Sequence, residues 1–261
     1  MSKKIKNILK KKKKNSKIVC LTAYSKSFAE ILDKHADVIL VGDSMANVLY
    51  GMDNTHNITL ENILQHSASV RKGVTKSLMV VDMPKGTYKN PKQAKKNAIL
   101  ILKKTKCDAL KIESNSKNFE IINHLVKSNI PIMGHIGYTP QFKKKFKVEG
   151  KKKGELKKLI NDAMLIQKAG AFSIVLECVT PVAAKIITNL LRIPTIGIGS
   201  SVYCDGQILV TDDILGLSGF YPKFVKKYAN LKTIIEKAVK KYSKEVKNKQ
   251  FPNKNNFLYG K

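Results

Sequence analysis

Short runs rich in Val, Ile and Leu recur along the chain, each followed by a longer stretch whose apolar residues fall at helical spacing. The runs are 17–24 (KIVCLTAY), 38–43 (VILVGD), 78–83 (LMVVDM), 109–114 (ALKIES), 130–136 (IPIMGHI), 172–178 (FSIVLEC), 193–199 (IPTIGIG) and 207–212 (QILVTD). Unbroken apolar character, in place of in–out alternation, marks strands covered on both faces, as in a parallel sheet flanked by helices. Helical spacing predicts helices over 26–35, 59–74, 91–104, 155–169 and 181–191. Asn90-Pro91 and Thr180-Pro181 open two of them with a capping residue and then a proline, whose missing N–H costs nothing in a first turn. Eight strand–helix units in 261 residues predict an α/β fold of the (β/α)8 TIM-barrel type, a single domain over 1–261 with a short Lys-rich N-terminal segment. A doubly wound open sheet is the structural alternative, because periodicity does not show whether the sheet closes.

Charge adds a second function class to weigh. The chain carries 49 Lys+Arg against 19 Asp+Glu, a formal net charge of +30, while 43% of its residues are hydrophobic. That apolar content supports a core and sets the chain apart from a disordered basic tail. Only Arg71 and Arg192 are arginine, so the planar fork that grips phosphates and base edges is nearly absent. The lysine runs at 9–14 and 151–158 hold no aromatic and that at 143–147 only Phe146, so there is no run of interleaved aromatics to stack bases, which argues against a specific nucleic-acid partner. No apolar stretch has the length of a signal peptide or a membrane span, so a cytoplasmic protein is expected. Cys20, Cys107, Cys178 and Cys204 lie far apart with no CxxC pair and read as buried free thiols.

The scarce acids carry the chemistry. Asp43, Asp82, Glu113 and Glu177 each stand where an apolar strand ends. One acid there is commonly a helix cap or turn residue; four in a barrel converge on its C-terminal mouth, where active sites of this architecture lie. Clustered carboxylates repel unless a cation or a proton sits among them, which implies a hard divalent metal such as Mg²⁺. Lys111 precedes Glu113 by two strand positions, so both side chains share a face, and its ammonium could hold a substrate carboxylate. His135 could serve the same mouth or sit satisfied within the barrel. Cys178 falls on the opposite face, where packing is expected. Gly197-Ile198-Gly199-Ser200 is a weak phosphate-loop signal, and Asp212 and Asp213 read as helix caps.

KIVCLTAY, VILVGDS, DMPKGTY, ALKIE, PIMGHIGYTPQ, IVLECVTP, IPTIGIG and CDGQILVTDDILGL resemble, in order and spacing, segments of the ketopantoate hydroxymethyltransferase family. The likeness runs from Lys17 to Leu217 and on into KFVKKYANL and Phe251-Pro252. It implies a barrel like those of phosphoenolpyruvate mutase and isocitrate lyase, assembled as a homo-oligomer, a decamer. It also implies transfer of a hydroxymethyl group from 5,10-methylenetetrahydrofolate to 3-methyl-2-oxobutanoate in pantothenate biosynthesis. By the same resemblance Asp43 and Asp82 are Mg²⁺ ligands, and Glu113 completes the metal site directly or through water. Asp43, Ser44, Asp82 and Lys111 surround the 2-oxo acid, and Glu177 is the general base. The chain departs from the family pattern at Ser25, Ala46-Asn47, Lys85, 142–147 (FKKKFK) and Ser200 to Tyr203. None of these touches the four acids or Lys111. Two alternatives stay open beside it: a related barrel lyase or mutase acting on another 2-oxo acid, and a basic nucleic-acid-binding protein.

Overall fold

All eight apolar runs form strands, and the strands close. The computed structural model describes residues 2–114, 118–143, 145–219 and 221–257. The strands are β1 (Ile18–Thr22), β2 (Val38–Val41), β3 (Leu78–Asp82), β4 (Ala109–Glu113), β5 (Ile132–Gly137), β6 (Ser173–Glu177), β7 (Thr195–Ile198) and β8 (Gly206–Leu209). Each pairs in parallel with the next, and β8 returns to β1 with Ile18 opposite Gly206 and Cys20 opposite Ile208. The ring is therefore a barrel, and the open-sheet alternative falls away. Closure depends on Gly206, where a Cβ would stand 2.5 Å from the Ile18 carbonyl oxygen.

The helices are α1 (Lys3–Lys13), α2 (Lys26–Leu32), α3 (Met45–Val48), α4 (Leu60–Arg71), α5 (Pro91–Thr105), α6 (Phe119–Lys127), α7 (Lys153–Lys168), α8 (Pro181–Leu190), α9 (Thr211–Ile214) and α10 (Leu231–Lys247). Asn90 and Thr180 cap α5 and α8 as the sequence predicts, each side chain accepting the amide three residues on. The chain forms two compact units, residues 1–211 and 212–261. The first holds the barrel. In the second, α10 carries exposed Ile234, Ile235, Val239, Tyr242 and Val246.

Strand alternation sorts the first unit into two apolar layers. Ile39, Val41, Met79, Val81, Leu110, Ile112, Ile174 and Leu176 pack outward against helix residues such as Ala29, Ile63, Ala98, Ile122 and Ile166. Their neighbours Ile18, Cys20, Val38, Leu40, Leu78, Val80, Ala109, Val175, Ile196 and Ile208 fill the barrel together with Ile5 and Ile8 of α1. Burial on both faces is why the strands read as unbroken apolar runs.

Helix α1 plugs the N-terminal end of the barrel with an apolar edge and three lysines. Asp37, Asp108 and Asp205 each precede an even-numbered strand, and each carboxylate accepts the amide of the odd strand beside it, from Val19, Met79 and Thr195 at 2.8–2.9 Å. The same carboxylates meet α1 lysines: Lys11 at 2.7 Å, Lys4 at 3.5 Å and Lys12 at 2.8 Å respectively. Part of the positive charge thus ties the plug to the strands.

Candidate active site

Strand parity carries four of the expected residues to the inside of the barrel at its C-terminal end. Asp82 closes β3, Lys111 and Glu113 lie two apart on β4, and Glu177 closes β6. Register then makes neighbours of them: Asp82 stands opposite Lys111, and Glu113 opposite His135 of β5. Asp43 and Ser44 come from the turn after β2, which ends at Val41 and not at the expected residue 43. The Asp43 amide donates to Asp82 Oδ2 at 3.0 Å, drawing the turn onto β3. The Ser44 hydroxyl shares a 2.8 Å hydrogen bond with the Tyr24 hydroxyl. All six predicted residues gather at one mouth.

The site is buried and short of positive charge. Asp43, Asp82, Lys111, Glu113 and His135 are each no more than 5% exposed. Lys111 Nζ approaches Asp82 Oδ1 to 2.8 Å as an ion pair. Burial pulls the Lys111 ammonium down, but the charges of Asp82, Asp43 and Glu113 outweigh it and hold the group above its ordinary range. Burial, with the charge of Asp82 behind it, pushes the Asp43 carboxyl up to about 7. Burial also raises Glu113 well above the usual carboxylate value, and Asp43 adds to the shift. Four carboxylates face one ammonium, an imbalance that a divalent cation relieves. Glu113 Oε1 is buried and accepts no hydrogen bond, and Asp82 Oδ1 has the Lys111 ammonium as its partner, so both oxygens could turn to such an ion. Among the described residues, no set of three or more His, Cys, Asp and Glu side chains forms a ready-made cage.

His135 belongs to this site, a choice the sequence left open. Its Nε2 lies 3.1 Å from Glu177 Oε2 and its Nδ1 3.8 Å from Glu113 Oε1. Burial and then Lys111 hold the imidazole well below its ordinary pKa, which favours its neutral form. Glu177 sits at the rim with its side chain 18% exposed, and burial pushes its carboxyl up to about 7. Its backbone is locked from both sides: Tyr138 N donates to the Glu177 carbonyl at 2.8 Å, and a Cβ on Gly137, whose φ is +92°, would lie 2.0 Å from that oxygen. Cys178 follows with a positive φ of 50°; its thiol is buried and raised to about 12, as expected of a packing residue and not of a nucleophile.

Two site residues were not singled out by their sequence. Gln141 and Tyr88 lie inside the GYTPQ and DMPKGTY segments, and both are buried against the carboxylates. Their signal was indirect, since ionised acids ending apolar strands need donors. Within 142–147, Lys143 reaches the Gly137 carbonyl at 2.6 Å and Glu149 at 2.9 Å, and Phe146 packs edge-on to Tyr138; position 144 lies outside the described residues. Asp212 and Asp213 stand inside the first turn of α9.

Known proteins match this architecture at two levels. Phosphonopyruvate hydrolase, in a complex with oxalate and Mg²⁺, superposes with a TM-score of 0.65 at 8% identity, covering 99% of this chain and 92% of that one. A 2,3-dimethylmalate lyase of the PEP mutase/isocitrate lyase superfamily gives 0.61 at 14% identity, covering 99% and 93%. These likenesses are of fold. In sequence, the 3-methyl-2-oxobutanoate hydroxymethyltransferase of Pelagibacter ubique is 52% identical over 97% of this chain and 98% of its own length. That of Anaplasma marginale is 47% identical over 92% and 88%. The ketopantoate hydroxymethyltransferase family pattern matches residues 2–254, and with a closed eight-stranded parallel barrel and its acids gathered at one mouth, the chain belongs to that family.

Proposed function

We propose that this protein transfers a hydroxymethyl group from 5,10-methylenetetrahydrofolate to 3-methyl-2-oxobutanoate, yielding ketopantoate for pantothenate synthesis in the cytoplasm. The observation that carries the reading is the meeting of Asp43, Asp82, Glu113, Glu177 and Lys111 at one buried mouth in a chain 52% identical to an enzyme of that name. Asp43 and Asp82 would hold Mg²⁺, with Glu113 completing the site directly or through water by its Oε1, since its Oε2 already accepts the Gln141 backbone amide at 2.9 Å. When bound, the ion supplies a Lewis acid that stabilises negative charge developing on the keto oxygen.

Lys111 and Ser44 orient the oxo acid, the ammonium pairing with its carboxylate or keto oxygen. Glu177 takes the C3 proton. Its raised pKa suits a base working near neutrality. His135 Nε2 stands beside the base, 3.1 Å from Glu177 Oε2. The C3 carbon then attacks the folate-borne methylene as one of its two C–N bonds breaks and that nitrogen takes the proton held by Glu177; one water then replaces the second nitrogen, leaving its hydroxyl on the methylene and its proton on the departing tetrahydrofolate. The exposed apolar residues of α10 support association of copies, in keeping with a homo-oligomer, and light scattering of the purified chain measures the assembly.

The deciding experiment follows Mg²⁺-dependent deuterium exchange at C3 of 3-methyl-2-oxobutanoate by NMR, alongside folate-dependent product by mass spectrometry. Exchange is lost in both Asp43→Ala and Asp82→Ala. Undiminished exchange in both sinks the metal assignment, and exchange without a folate-dependent product redirects the reading to a related lyase or mutase.

A further inference from the structure

Gln141 is 1% exposed, and three of its polar atoms are fully engaged. Its backbone amide donates to Glu113 Oε2 at 2.9 Å. Its side-chain Nε2 donates to Asp43 Oδ2 at 2.8 Å and to the Met83 carbonyl at 3.1 Å. Its Oε1 accepts from the Tyr88 hydroxyl. These contacts allow only one orientation of the amide. Turned over, its oxygen would face the Asp43 carboxylate and the Met83 carbonyl with no hydrogen between them, while its NH₂ would oppose the Tyr88 donor.

The neighbours of Gln141 are held as well. His56 Nε2 meets the Pro140 carbonyl oxygen at 2.8 Å, and Phe142 stands edge-on to the Tyr88 ring. One glutamine therefore joins the loop after β5 to the turn after β2, to the end of β3 and to β4. Its amide takes Asp43 Oδ2 and leaves Oδ1 as the oxygen it does not hold. A flexible carboxylate at a cation site must lose its rotamer freedom on binding, and an outer partner that has already fixed it removes that cost.

We propose that Gln141 is a positioning residue for the cation site: it sets the orientation of Asp43 and the placement of Glu113, and Tyr88 in turn fixes the Gln141 amide. The inference rests on the metal site proposed above. Its test is Mn²⁺ binding to the full chain in the presence of 3-methyl-2-oxobutanoate, read by electron paramagnetic resonance, which reports occupancy independently of turnover. Gln141→Met, which keeps bulk and removes the amide, weakens Mn²⁺ binding by roughly 10- to 100-fold, the usual effect of losing an outer-shell partner. Tyr88→Phe, which removes one hydroxyl and keeps the ring, weakens it several-fold, and the double variant binds no worse than Gln141→Met alone, because the two act through one amide.

Asp43→Ala separates the two claims. If the wild type fails to bind Mn²⁺, or Asp43→Ala binds as the wild type does, the metal site itself is wrong. If Asp43→Ala loses binding while Gln141→Met or Tyr88→Phe keeps wild-type affinity, the positioning role is wrong. Should Gln141→Met not fold, Tyr88→Phe decides.

Discussion

Asp33 and Asp43 are both buried, yet their carboxyls are driven in opposite directions. Burial raises Asp33, but the amides of Thr75, Lys76 and Ser77 and the Thr75 hydroxyl all donate to it and hold it well below the usual range. Asp43 has one amide donor on its side chain and the Asp82 charge beside it, so burial wins. The linkage follows. Asp33 contributes stability that is present above its unfolded pKa of about 4 and is lost in acid. Asp43 and Glu177, each raised to about 7, bind protons in the folded chain that the unfolded chain has released, so stability falls as pH rises from about 4 to 7. Denaturant melts in EDTA at pH 5, 6 and 7 measure that fall, and Asp43→Asn or Glu177→Gln flattens it; a slope unchanged in both variants refutes the assignment. Catalysis runs the other way. Exchange at C3 drops about tenfold per unit below pH 7 as Glu177 protonates, and Glu177→Gln lowers the plateau by roughly 10²- to 10⁴-fold.

Among the elements, the strands were legible because burial on both faces leaves a contiguous apolar trace, and five helices because one face meets the sheet. Helix α1 was hidden by its own lysines. Ile5, Ile8 and Leu9 hold helical spacing, but three apolar positions in a basic run do not announce a plug. Its partners, Asp37, Asp108 and Asp205, are scattered through the chain, and no local pattern links them to it. For the same reason the acids of the active site could be read at strand ends, while the Gln141 bridge could not: it depends on loop packing. The plug has unequal parts. Asp205→Ala strands the fully buried Thr195 amide and leaves Lys12 with only the Thr188 carbonyl, costing about 2–4 kcal/mol, whereas Lys12→Met leaves the aspartate with its amide bond and costs about 1 kcal/mol. Chemical denaturation measures both, and equal losses rule out the aspartate as the anchor.

At the scale of the molecule, a chain of net charge +30 holds a pocket with four carboxylates and one ammonium. The outer field attracts an anionic oxo acid from a distance, while the pocket admits it only alongside a cation. The rate of substrate capture, kcat/KM, therefore falls as salt rises, with kcat steady; a flat profile makes the lysine surplus a bystander to capture. Helix α1 gives the fold an order in time as well. It leaves the ribosome before any strand of the barrel, yet Asp205 is made long after it, and β1 has no second neighbour until Gly206–Leu209 emerges. The nascent chain thus carries an open ring and a half-anchored plug through most of its synthesis, and both are completed only once the last strand is made.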